Sequence, residues 1–119
     1  MKRISLTIIT ANKADIASAE PVKNEILQLL GNNSQCVTFE KYDKIPNCYK
    51  AVFEIYLDVQ SEQDFNYNLL TLSSSIARPW MIYFQNNFGT ELIFNKSEAT
   101  SYNRNSLNTI IWAHVQHAG

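Results

Sequence analysis

Glycine is scarce in this chain: there are three in 119 residues, and Gly31, Gly89 and Gly119 stand far apart. Loops that cradle nucleotide phosphates need closely spaced glycines so that backbone can approach the ligand. Neither a GxGxxG run nor a P-loop is present, which excludes nucleotide sites of those types. The cysteines, Cys36 and Cys48, and the histidines, His114 and His117, lack the paired spacing of zinc ligands, so no metal and no cofactor is expected. The two cysteines allow one disulfide, but a cytosolic setting makes reduced thiols the default. Long apolar runs are missing too, and nothing approaches the ~20 residues needed to cross a bilayer. The opening MKRISLTIIT has the positive start of a signal peptide, yet Ser5 and Thr7 interrupt it and Asn12-Lys13 ends it. It reads as a first strand, with a cytoplasmic location and no membrane contact expected. Finally, no charge sign dominates. Ten basic residues face eleven acidic ones, and only Lys2-Arg3 are adjacent among the basic set. A dedicated nucleic-acid binder would carry a strongly basic face, so no direct nucleic-acid partner is expected.

What is present is the material of a folded core. The chain is 45% hydrophobic and 12% aromatic, unlike disordered segments, which are poor in aromatic and β-branched residues. Its length suits one domain, residues 1–119. From Lys2 to Ala11, Ile4, Leu6 and Ile8 alternate with Ser5, Thr7 and Ile9, as in a half-buried strand. Pro21 suits the first turn of a helix, whose apolar stripe is Val22, Ile26, Leu29 and Leu30 and whose end is Gly31 with Asn32-Asn33. Gln35 to Lys41 and Tyr49 to Asp58 read as strands joined through the turn residues Asp43 to Asn47. Ser61 caps a second helix carrying Phe65, Leu69, Leu72 and Ile76, which Pro79 stops. Trp80 to Gln85 and Glu91 to Phe94 flank Asn86-Asn87-Phe88-Gly89 in a hairpin pattern. Lys96 to Asn108 reads as a loop, Thr109 to Gln116 as a last strand, and His117-Ala118-Gly119 as a fraying end.

The order β-α-β-β-α-β-β-β implies an α+β domain. Its first six elements match a ferredoxin-like βαββαβ core with both helices on one sheet face, extended by the two C-terminal antiparallel strands. Beneath the helices should lie Ile4, Leu6, Ile8, Val37, Phe39, Phe53, Ile55 and Leu57. The open face should carry Thr7, Ile9, Thr38, Glu40, Val52, Glu54, Tyr56 and Asp58, joined by Met81, Tyr83 and Gln85 if Trp80, Ile82 and Phe84 point inward. Such a face is either merely solvated, as antiparallel sheets allow, or a recognition surface, for which tyrosine supplies area and a polar tip. A homodimer packed through it is a further reading.

Ser73-Ser74-Ser75 falls within a helix and reads as a small, tolerant face. His114 alternates with Trp112, as suits a structural or interfacial histidine. Asp58, Glu62 and Asp64 have the chemistry for acid–base work or Mg²⁺, but Glu62 and Asp64 occupy a helix's first turn, where acids complement the dipole. No catalytic residue is assigned, and action by binding rather than by reaction is the expectation.

The chain taken whole, with its Trp80–Gln85 strand, the Asn86–Gly89 hairpin, TELIFNK, a polar loop and NTIIWAHVQ, resembles the immunity proteins of bacterial polymorphic toxin systems, those of contact-dependent growth inhibition above all. The resemblance implies a cytoplasmic protein whose partner is the C-terminal domain of a cognate toxin, often a nuclease, which it neutralises by blocking the active site or access to substrate. Nuclease domains are commonly basic, so acids that steer association and aromatic anchors become the candidate contacts: Glu40, Glu54, Tyr56, Asp58, Tyr83 and Trp112. Two other readings stand beside it. One is a ligand-binding regulatory module of ferredoxin-like fold, which usually has a glycine-containing turn after the first strand, absent from Asn12 to Asp15. The other is a small enzyme, which fold alone does not exclude.

Overall fold

The computed structural model describes residues 1–118. Its elements are β1 (Lys2–Thr10), α1 (Ile16–Leu30), β2 (Ser34–Lys41), β3 (Tyr49–Leu57), α2 (Glu62–Ser74), β4 (Ala77–Arg78), β5 (Met81–Tyr83), β6 (Glu91–Asn95), β7 (Ser101–Tyr102), a 3₁₀ turn at Asn105–Leu107, and β8 (Ile110–His117). Six strands form one antiparallel sheet in the order β2-β3-β1-β8-β6-β5, and β4 pairs with β7 in a small second sheet.

The alternation in β1 and β3 decides which face is covered. Ile4 pairs with Ile55, Leu6 with Phe53 and Ile8 with Ala51, and all six side chains are buried. They share one apolar cluster with Val22 and Ile26 of α1 and Phe65 and Leu69 of α2, so both helices pack on the same sheet face. Removing apolar surface from water on this scale is what holds the two layers together. Val37 departs from the expected core set. The register slips between Cys36 and Thr38, which makes Val37 the extra residue of a bulge and leaves it 46% exposed. The bulge restores Phe39 to the covered face, opposite Ala51, where it packs against the core.

Helix α1 starts earlier, and helix α2 ends earlier, than the sequence pattern suggests. Asp15, not a residue near Pro21, caps α1: its carboxylate accepts from the Ser18 N–H at 2.9 Å, and the Ser18 hydroxyl accepts from the Asp15 N–H. Pro21 therefore lies inside the helix. The bond its missing N–H forgoes is to the carbonyl of Ala17, an exposed residue in the first turn, where water is available instead. Helix α2 ends at Ser74, well before Pro79. The hydroxyls of Ser73 and Ser75 turn back onto the carbonyls of Leu69 and Leu72, the local bonding by which serine competes with helical backbone. Ala77–Arg78 then leaves to pair with Ser101–Tyr102. The segment from Lys96 to Asn108 is thus more than a loop: it holds β7 and a 3₁₀ turn that buries Leu107.

The place beside β1 is filled by β8 rather than by the strand that follows α2, and β6 and β5 continue the sheet beyond it. β8 buries more residues than any other strand after α2, namely Ile110, Ala113 and Val115, and it takes a central position. His117 does not fray: it pairs with Ile4 and sits edge-on to Phe65, ring centroids 5.8 Å apart. Ala118 donates its N–H to the Arg3 carbonyl. Gly119 lies outside the described residues.

Candidate functional site: the open sheet face

On the side away from the helices, the register aligns Glu40 with Lys50, Lys50 with Ile9, Ile9 with Trp112, and Trp112 with Asn95. This row crosses the sheet and contains two of the six candidate contacts. A second row runs Gln35–Glu54–Ser5–Gln116, and Tyr56 lies opposite Arg3. Tyr83 stands opposite Glu91 near the far edge. Glu40, Glu54, Tyr56, Tyr83 and Trp112 therefore share one face. Asp58 does not join a row, because β3 ends at Leu57 and Asp58 is an exposed residue in the connection to α2.

These residues spread rather than converge. Lys50 and Tyr56 are six positions apart on one strand, about 20 Å at ~3.3 Å per residue. The arrangement is that of a surface. Its acids are also less free than their sequence suggests: Glu40 lies 3.6 Å from Lys50, and Glu54 lies 3.2 Å from Arg3. Glu91 meets His114 at 2.9 Å. The face thus holds two ion pairs and one carboxylate–imidazole contact of its own.

Trp112 has a distinct setting. The register shifts between Ile9 and Thr10, which pair with Trp112 and Ile110, so Ile111 is the extra residue of a bulge and both Ile111 and Trp112 line one hollow of about 290 Å³. Ile9, Tyr42, Ile45 and Asn95 complete its wall. Tyr42 and Ile45 come from the β2–β3 connection, tied down by the Tyr42 N–H to the Cys48 carbonyl and the Lys13 N–H to the Asn47 carbonyl. This cover explains why Ile9 is buried although it faces the open side. A second, wider hollow of about 700 Å³ is lined by Met1, Lys2, Arg3, Tyr56 and His117. Sequence alternation located Trp112, but the hollow around it depends on a bulge and a folded-over turn that no local pattern announces. The pairing of Glu91 with His114 was likewise hidden, since it requires β6 beside β8.

The acids at the start of α2 serve the helix and a neighbouring loop. Ser61 accepts from the Asp64 N–H, and Glu62 Oε1 accepts from the Asn87 N–H at 2.6 Å. That contact anchors the 86–89 turn, where Asn87 and Phe88, not Gly89, take positive φ. Phe88 is thereby delivered against Phe65, centroids 5.2 Å apart, with the Lys2 ammonium 4.0 Å from its ring. Both cysteines are free, and burial pushes each thiol above its ordinary pKa, away from the thiolate a nucleophile or metal ligand needs. Among the described residues no group of three or more His, Cys, Asp or Glu side chains is gathered as metal ligands would be. No helix of the described residues is long and apolar enough to cross a membrane.

These features define a two-layer α+β domain with one sheet face uncovered. Compared with known proteins, the chain matches no family model, and no curated protein and no solved structure matches it either.

Proposed function

We propose that this protein is an immunity protein of a bacterial polymorphic toxin system, acting in the cytoplasm without catalysis or cofactor. It binds the C-terminal domain of a cognate toxin, a nuclease, and covers its active site or the path of its substrate. The observation that carries this reading is the uncovered sheet face, where Tyr83 is exposed and Tyr56 and Trp112 half-buried beside Glu40 and Glu54. Aromatic side chains of this kind supply buried anchors, and acids set orientation and association rate. Glu40 and Glu54 already hold Lys50 and Arg3. Because these carboxylates are partly neutralised within the chain, selectivity falls mainly to shape and to the aromatic anchors. The strands β2-β3-β1-β8 stand in this proposal as a ferredoxin-like core, with β8 in the place of the fourth strand. The test is co-expression with the C-terminal domain of a secreted protein encoded immediately upstream. Growth is rescued and the two proteins co-purify. Reversing the charge of Glu40 and Glu54 together weakens binding, and unchanged affinity removes this face from the interface.

A ligand-sensing module is the second reading, favoured by the hollow of about 290 Å³ beside Trp112, close to the ~300 Å³ lower bound for small-molecule sites. Thermal stabilisation by a member of a metabolite panel, lost in Trp112→Ala, supports that reading over the first.

A further inference from the structure

Three carboxylates on the open face are paired within the chain, and one of them differs in its partner. Glu40 meets Lys50 and Glu54 meets Arg3, side chains that stay cationic across the neutral range. Glu91 meets His114, Nε2 to Oε1 at 2.9 Å, and an imidazole is cationic only when protonated. From β1 the imidazole is faced by Thr7, from β6 by Ile93 and Glu91, and along β8 by Trp112 and Gln116. Among them Glu91 is the charged group, and the Tyr83 phenol across from Glu91 is the next titratable one. Glu91 is therefore uncompensated while His114 is neutral and compensated once it is protonated.

The surroundings of Glu91 fit one kind of cation. Tyr83 stands directly opposite it on β5, which sets their Cβ atoms about 4.5–5.5 Å apart, and Tyr83 is 46% exposed. A carboxylate beside an accessible aromatic ring suits a guanidinium, whose planar fork bonds the carboxylate and whose plane stacks on the ring. An ammonium meets the same carboxylate only as a point charge. We propose that Glu91, with Tyr83, receives an arginine side chain of the partner, and that protonated His114 competes for the same carboxylate. The inference rests on the immunity reading for its partner, the toxin domain, and adds to it a contact and a dependence on pH. While His114 is neutral, Glu91 meets an incoming guanidinium with its full charge. Once His114 is protonated the carboxylate is already paired, and part of the attraction is lost.

Calorimetry with the toxin domain tests this at the two ends of the imidazole range, about pH 8 and about pH 5. At the alkaline end Glu91→Gln weakens binding about tenfold, the scale of one hydrogen bond to a charged group. Wild type loses affinity on acidification, and His114→Gln, whose amide offers Glu91 a donor without a charge, loses less. The toxin's own titrating groups act on both chains alike, so the difference between them belongs to His114. A second arm needs no toxin: N-acetyl-arginine amide is titrated into the chain alone and followed by nuclear magnetic resonance. It moves the backbone signals of Glu91 and Tyr83 at the alkaline end, moves them less in acid, and moves them more than N-acetyl-lysine amide does. This arm uses wild type, so a variant that failed to fold would not spare the inference. Equal toxin affinity in wild type and Glu91→Gln overturns the inference and leaves the immunity reading standing, and equal losses on acidification in wild type and His114→Gln overturn the part given to His114. If the toxin domain does not bind at all, the immunity reading falls and the arginine probe decides: shifts at Glu91 that fade in acid support the site, and their absence overturns it.

Discussion

At one side of the sheet, β2 runs for eight residues, breaks its register at Val37, carries Glu40 and Lys41, and packs Phe39 beneath α1, where the Lys23 ammonium lies 5.1 Å from its ring. At the other side, β5 has three residues, all exposed and none charged. The same antiparallel pairing builds both regions. They differ in whether a second layer lies above them. Where the helices cover the sheet, period-2 alternation translates into buried and exposed sides, and each residue has a defined environment. Where they stop, apolar side chains remain in water on both faces.

The largest expected effect comes from the covered region. Phe53 is fully buried, and Phe53→Ala removes about 3–5 kcal/mol, the usual range for a core phenylalanine. Ile82→Ala, in the uncovered region, costs no more than about 1 kcal/mol, as partial burial implies. Urea unfolding of dilute protein measures both, and equal losses would break the distinction between the regions. A smaller effect belongs to the α1 cap: Asp15→Ala costs about 1 kcal/mol, because it leaves the Ser18 N–H without its acceptor. Smaller again is Val37→Lys, which changes stability by no more than about 0.5 kcal/mol although the residue is β-branched and sits mid-strand. A loss of core size there would mean that the bulge is not formed.

Val37 also marks the limit of what could be read from the chain. Alternation in β1 and β3, the Gly31 stop and the Ser61 cap are local signals, and the structure follows them. Val37 obeys the same pattern on paper, but a bulge is a property of two strands in register, and its partner residues lie in β3. The end of α2 turned on a similar choice: Pro79 is a strong breaker, yet hydroxyls of Ser73 and Ser75 and the pairing of Ala77 with Tyr102 act earlier. Strand order went furthest from expectation, since β8 rather than the nearer strand took the place beside β1. Five of the six candidate contacts lie on one face because alternation placed them there. The hollow at Trp112 and the Glu91–His114 contact arise between strands distant in sequence, where period carries no information.

The smallest effect concerns a contact that joins the covered region to the segment leading into β8. Arg104 Nη1 donates to Glu25 Oε1 of α1 at 2.7 Å, and the Ser106 hydroxyl lies 3.3 Å from the same oxygen. The Arg104 hydrogen bond is the main cause holding the Glu25 carboxyl below its ordinary value of 4.5, against an opposing desolvation and with help from the guanidinium charge and Ser106. A carboxyl whose folded pKa lies below its unfolded one favours the folded state wherever it is ionised in both, so the contribution is complete above pH 4.5 and fades as pH falls through the folded value. The pair is open to solvent, so the effect is small and salt-sensitive. Denaturation midpoints of wild type and Glu25→Gln, compared over falling pH, should converge below pH 4.5, and Arg104→Ala should abolish most of the gap between them at neutral pH. A gap that persists unchanged into acid would mean that this contact does not tie α1 to the 3₁₀ turn, and that the covered region is held there by Leu107 burial alone.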